Sequence, residues 1–484
     1  MDQGRDESAS SLRSKRSHGI LLHFDIYVRA DLSNSRVTST FPPKMKFVNR
    51  CLRLYDSLCL RFGVSRLRFS AYLTITSFVL ITTLYVRHIS SRDPGSLFFD
   101  PNTAYIPRYS AIRQQQAEDF IAAAHNAPPY HLGDGASKLC VGAPSIARDG
   151  ARYLRTTIGS LLAGLTQEER DDVYLIAFTP HTQPDVHPAY HEPWLRNVVN
   201  QVLVYDLPQA ELDRTAELEK EKELHREKGL FDYTYLLKTC FATDTPYVAI
   251  VEDDVIAMDG WYLRTVGGLR RAERQSSLKK SPKDFLYLRL FYTEQFLGWN
   301  SEHWLRHAFW SIAFVTSSVG FMLWVRSRFP NSQLILTPYL SLAICFVLVP
   351  WAVLLVFATG KVTVFPAPTG VNEMNNFGCC AQGLVYPRNK AHDLIAWFET
   401  SRIGFADMLS EQYANEHGEQ RWALTPSVLQ HIGAKSSKAD DFGADAKHSR
   451  SVAQNIWNFA FELNDPKALR DEHEAAALDP EIRR

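Results

Sequence analysis

Three long apolar stretches constrain this chain of 484 residues more than any other feature. Residues 69–86 (FSAYLTITSFVLITTLYV) carry no charge and are long enough to cross a bilayer. Residues 308–325 (AFWSIAFVTSSVGFMLWV) are also uncharged, with Trp310 and Trp324 near their ends, where indole rings suit the membrane interface. Residues 334–358 form a longer uncharged run that contains Pro338 and Pro350. A buried core helix competes as a reading for the shorter stretches and fits the third poorly. Three membrane spans are therefore predicted, an N-terminal anchor and a hairpin.

Arginines orient them. Arg50, Arg53, Arg61, Arg66 and Arg68 precede the first span, whereas only Arg87 and Arg92 follow closely. The short loop between the second and third spans carries Arg326 and Arg328. Both cues predict a cytosolic N-terminus. The first span lies too deep for an ordinary cleaved signal and reads as a signal anchor. The predicted organisation is a cytosolic tail (1–68), the anchor (69–86), a stem with a lead-in helix (87–137) and a first lumenal part (138–307). The spans 308–325 and 334–358 follow, joined by a cytosolic loop (326–333), then a second lumenal part (359–465) and a mobile polar tail (466–484). Two lumenal pieces separated by a hairpin are expected to build one domain.

Composition adds little beyond exclusions. The chain is 45% apolar and 22% charged, with 53 basic and 53 acidic residues. That balance gives no basic excess for nucleic acid. Four cysteines are predicted to be lumenal: Cys140, Cys240, Cys379 and Cys380. They permit disulfides, but their pairing is open.

From Lys138 onward, short apolar runs alternate with helical segments. Residues 139–143, 173–178, 201–205, 247–251 and 284–292 read as strands, and residues 111–124, 150–163 and 233–242 as helices. This alternation predicts an α/β fold with a mostly parallel sheet covered by helices on both faces.

The sharpest chemical feature ends one of those strands. Val248-Ala249-Ile250-Val251 runs directly into Glu252-Asp253-Asp254. In an open α/β sheet the carboxyl end of a strand borders the ligand crevice. Three adjacent carboxylates there repel one another unless donors, water or a cation compensates. Oxygen ligands suit Mg²⁺ or Mn²⁺, which can bridge a diphosphate and neutralise it as it departs. An ordinary acidic turn is the competing reading. His181, His187 and His191 also cluster, but prolines interrupt them, and a polar loop is the better reading than a metal site.

The segments KLCVGAPSIARDGARYLRTTIGSLLAGL, VYLIAFTP and PYVAIVEDDVIAMDGW, between Lys138 and Trp261, resemble Golgi glycosyltransferases of the GT-A fold. The nearest resemblance is to the post-GPI-attachment N-acetylgalactosamine transferases, with a more distant likeness to the N-acetylglucosaminyltransferase IV class. The former carry an N-terminal anchor and a transmembrane hairpin inserted in the catalytic domain, as predicted here. The resemblance implies that Glu252-Asp253-Asp254 is a DxD-type motif. Asp254 would then ligate the metal, Mn²⁺ or Mg²⁺, while Glu252 and Asp253 contact ribose or metal-bound water. It also implies that Ala143, Pro144, Ser145 and Arg148 hold the nucleotide of a UDP-sugar. The loop 375–384 (NNFGCCAQGL) would face acceptor and sugar, and His431, in the closing segment 425–433, would meet the metal or diphosphate.

An inverting displacement needs a carboxylate to take the acceptor's hydroxyl proton. Asp407 and Glu411, four apart on a helix, are the candidates, with Asp407 favoured. The expected acceptor is the glycan of GPI-anchored proteins, presented at the lipid bilayer of the Golgi, with no nucleic-acid partner. A non-catalytic membrane scaffold, or a lipid- or GPI-binding protein, that keeps the fold is the alternative. Donor sugar, linkage and oligomeric state stay open.

Overall fold

A computed structural model describes residues 43–61, 63, 65–130, 136–148, 150–279, 284–374, 380–434, 444–445 and 450–478. They divide into two compact units at Ser77/Phe78. The first contains helix Pro43–Arg61 and the beginning of helix Arg66–Ile89.

The second unit is built on an eight-stranded sheet. Its strands are β1 (Leu139–Pro144), β2 (Val173–Phe178), β3 (Gln201–Leu203), β4 (Tyr247–Val251), β6 (Phe285–Arg289), β7 (Gly370–Glu373), β8 (Gly383–Pro387) and β9 (Gln420–Thr425). A separate two-stranded pair joins β5 (Val255–Ala257) to β10 (Leu429–His431). The large sheet runs in the order β3-β2-β1-β4-β8-β6-β9-β7. Strands β3, β2, β1 and β4 are mutually parallel, as are β6 and β9, while β8 and β7 run antiparallel to their neighbours.

Both faces are covered, which explains the continuous apolar runs of β1, β2 and β4. Leu139, Val141 and Ala143 of β1 enter a core with helices Tyr109–Ala124, Tyr153–Leu162 and Trp261–Ser277. Cys140, Ile176 and Ile250 enter the other core, with helices His225–Phe241, Arg388–Ser401 and Ala406–His417. Cys140 and Cys240 form a disulfide that ties β1 to helix His225–Phe241.

Among the described residues, three helices are long and apolar enough to cross a membrane: Arg66–Ile89, Trp304–Arg328 and Pro338–Thr359. Each of the first two extends a turn or so beyond its predicted apolar stretch, because flanking polar residues continue the helix. The third starts later than the apolar run. Pro338 sits at its first turn and the Thr337 hydroxyl accepts from the Leu340 N–H, so this cap sets the boundary. Pro350 lacks an N–H, and a π-helical turn at Ile344–Leu348 precedes it, so the helix continues with wider hydrogen-bond spacing.

The hairpin lies between β6 and β7, which are the two neighbours of β9. One sheet therefore contains strands from both sides of the hairpin. The expected stem is also tied down. Leu97 N–H and the Ser96 hydroxyl donate to the Ala358 carbonyl at 2.8 and 2.9 Å, and Trp299 Nε1 donates to Phe357 O at 3.1 Å. These donors satisfy carbonyls at the end of a membrane helix.

The C-terminal segment differs from the mobile tail expected. Residues Pro466–Leu478 form an amphipathic helix that buries Leu469, His473 and Ala477. His473 Nδ1 lies 2.7 Å from Asp259 Oδ1 and Nε2 lies 2.9 Å from Glu169 Oε1. Hydrogen bonds to these two carboxylates raise the imidazole from 6.5 to about 9. Its protonated form therefore stabilises the fold fully below pH 6.5, and this stabilisation is lost as pH rises through about 9. His473→Gln should remove this pH dependence, worth about 1–2 kcal/mol after solvent screening, in thermal melts taken across that window.

Candidate active site

In the parallel half of the sheet, the chain leaves β1 for β2 on one side and later places β4 on the other. The carboxyl ends of β1 and β4 therefore flank a topological switch point, where α/β sheets leave a crevice. Ser145 follows β1 and the acidic triplet follows β4, so topology brings them together.

Asp253 is buried, and its Oδ2 accepts from Ser145 Oγ at 2.5 Å and from Arg148 Nη1 at 2.6 Å. Burial raises this carboxyl above the usual carboxylate range despite the arginine beside it. His187, missed as a site residue by the sequence reading, completes the cluster. Its Nδ1 accepts from Ala189 N–H at 3.2 Å, which leaves Nε2–H to donate to Ser145 Oγ at 3.0 Å. Ser145 in turn donates to Asp253. Burial, followed by the nearby His181, lowers His187 to about 4, so the ring is neutral. His181 Nε2 accepts from Ala147 N–H at 3.0 Å and its Nδ1 pairs with Glu219. Two of the three clustered histidines thus position the loop after β1, whereas His191 is exposed beside Asp185. Among the described residues, no three His, Cys, Asp or Glu side chains are grouped so as to hold a metal ion.

Asp254 is arranged differently. Its Oδ2 lies 3.5 Å from His431 Nε2, while its Oδ1 is buried and makes no hydrogen bond. The approach is set by strand pairing: His431 is opposite Val255 in the β5–β10 pair, and Ile432 N–H donates to Asp254 O. His431 Nδ1 can only donate to the Ile456 carbonyl, 3.0 Å away. Its Nε2 therefore presents Asp254 with either a proton or a lone pair. Burial opposes charge on both groups, but their mutual attraction outweighs it, so Asp254 is lowered and His431 is raised. Gly433 packs beside them, and a Cβ there would lie 2.5 Å from Asp254 Oδ2 and 2.7 Å from His431 Nε2. An unsatisfied carboxylate oxygen, an imidazole nitrogen and space preserved by glycine fit a divalent cation.

Glu252 is half-buried, and its Oε2 accepts from Gln382 Nε2 at 3.1 Å. Two residues earlier in the same segment, Cys380 N–H donates to Asp407 Oδ2 at 3.3 Å. The segment entering β8 therefore links Glu252 to Asp407. Cys380 is itself disulfide-bonded. Residues 375–379 of the predicted acceptor loop lie outside the described residues. Ala143 and Pro144 end β1, with Ala143 in the core.

Asp407 and Glu411 do share helix Ala406–His417, but their surroundings differ. Asp407 is half-buried at the helix start. Glu411 is enclosed: it accepts from the Tyr287 hydroxyl, from Arg289 Nη2 at 3.2 Å and from Arg421 Nη1 at 2.8 Å. Glu411→Gln should cost about 3 kcal/mol of stability, read by denaturant unfolding in detergent, because it removes the buried carboxylate charge that pairs with two buried guanidiniums.

The fold and site together are those of a membrane-associated α/β protein whose sheet is interrupted by a helical hairpin and whose acidic crevice lies at a switch point. Residues 139–430 match the family model described as GPI-N-acetylgalactosamine transferase PGAP4, and the chain belongs to this family of glycosyltransferases. The match includes the acidic triplet and both hairpin helices. No curated protein matches the chain.

Proposed function

We propose that this chain is a Golgi-membrane, metal-dependent, inverting glycosyltransferase of GT-A type. It moves N-acetylgalactosamine from a UDP-sugar to the glycan of GPI anchors on proteins. The observation that carries this reading is Asp254, whose buried Oδ1 has no hydrogen-bond partner and whose Oδ2 faces His431 at the switch point. Asp254 and His431 would hold Mn²⁺ or Mg²⁺. When bound, the ion supplies charge neutralisation for the departing diphosphate.

The chain's own groups do the rest. Arg148 and Ser145 fix Asp253 for contact with the nucleotide, and neutral His187 holds Ser145 in the donating orientation. Glu252, held by Gln382, would contact ribose or metal-bound water. Asp407 takes the acceptor hydroxyl proton, because Glu411 is committed to Arg289 and Arg421. The Cys140–Cys240 disulfide supports a lumenal, oxidising location for the sheet. A domain held to the bilayer by a hairpin within its own sheet suits an acceptor whose glycan stands on a lipid.

Mass spectrometry of GPI glycans released from cells with and without the gene tests the reading. Loss of a side-chain N-acetylhexosamine, restored by the wild type and not by Asp254→Ala, is expected. An unchanged glycan would sink the proposed reaction. Rescue by Asp254→Ala would favour the non-catalytic scaffold.

A further inference from the structure

We propose that helix Pro43–Arg61 is a membrane-surface anchor, lying in the interface with its apolar face in the acyl boundary and its arginines on acidic phospholipid headgroups. The sequence pattern is strongly two-sided. At the helical period, Phe47, Val48, Cys51, Leu52, Leu54 and Leu58 fall on one half of the helix. Arg50, Arg53, Ser57 and Arg61 fall on the other, and Leu60 breaks the pattern near the end. This apolar half is largely uncovered: Phe47 is 71% exposed and Leu54 64%. Arg50, Arg53 and Arg61 are exposed as well.

Position identifies the occupant. The Tyr55 hydroxyl donates to the Arg66 carbonyl at 2.6 Å, and its ring meets Phe69 edge-on with centroids 5.2 Å apart. Asp56 pairs with Arg66 at 2.9 Å. These contacts hold the helix against the first turn of Arg66–Ile89, a helix long and apolar enough to span a membrane. An amphipathic helix fixed where a span enters the bilayer lies at headgroup depth. There an exposed apolar face and three exposed arginines match the acyl boundary and an anionic leaflet. The surface is continuous with the span and carries complementary charge, which favours lipid over a protein partner.

The test uses the full chain in nanodiscs of phosphatidylcholine, with or without phosphatidylserine. A nitrobenzoxadiazole probe on the native, exposed Cys51 reports depth, and Cys51→Ser gives the background to subtract. With phosphatidylserine present, lipids brominated on the acyl chain should quench the probe at least about twofold. The triple variant Arg50→Glu, Arg53→Glu, Arg61→Glu should lose the phosphatidylserine dependence. Phe47→Ser with Leu54→Ser should reduce quenching in both lipids. A Cys51 probe that brominated lipids do not quench in either nanodisc would overturn the anchor. Equal quenching with and without phosphatidylserine would overturn its headgroup assignment.

Discussion

Asp254→Asn is expected to lower transferase turnover at least about a hundredfold while the protein keeps its fold. The substitution preserves volume and one carbonyl oxygen but removes the charge that a divalent cation needs. Neutralising a departing diphosphate is worth several kcal/mol, and each 1.4 kcal/mol is a factor of ten in rate. The fold should persist because the asparagine amide can still hydrogen-bond His431 Nε2 from the Oδ2 position, so no new orphan is created. Two measurements separate the alternatives. Electron paramagnetic resonance should show Mn²⁺ binding by the wild type and much weaker binding by Asp254→Asn, whatever the acceptor. Near-ultraviolet circular dichroism should be unchanged. Full turnover by Asp254→Asn, or undiminished Mn²⁺ binding, would remove the basis for the proposed cation site.

Replacing both Cys140 and Cys240 by alanine should destabilise the domain by about 4–5 kcal/mol. The bond joins residues 100 apart in sequence, and a crosslink of that span restricts the unfolded chain strongly. Both cysteines are fully buried between β1 and helix His225–Phe241, so the crosslink also fastens the strand that leads into Ser145. Denaturant unfolding of the detergent-solubilised protein measures the effect. A midpoint unchanged from the wild type would mean that packing alone holds this pair of elements. Loss of stability should exceed that of Glu411→Gln, whose partners Arg289 and Arg421 can still hydrogen-bond the neutral amide.

Local pattern made much of this legible. The strands at 173–178 and 247–251 are found at their predicted bounds, since four or more consecutive buried apolar residues ended by polar ones leave little ambiguity. The spans were visible for the same reason, although the Thr337–Pro338 cap moved the start of the third. Helix Pro466–Leu478 was missed because its apolar positions are few and mostly alanine, and its docking depends on His473 reaching Asp259 and Glu169. His187 was passed over for a related reason. Its neighbours argued rightly against a fixed helical pair, but a loop histidine can still find Ser145 once β1 and β2 are paired. The HTQPDVHPAYH segment was the available signal.

Hydropathy and the acidic strand end, both local, determined from sequence that the chain has membrane-spanning helices and a carboxylate cluster at the end of a buried strand. Only the tertiary structure decided that β6 and β7, on either side of the hairpin, flank the same strand β9. It alone decided that Glu411 is enclosed by arginines and that Cys140 finds Cys240. Each of these depends on pairing or packing between segments far apart in the chain, set by sheet order and register. Neighbouring residues carry no record of such order.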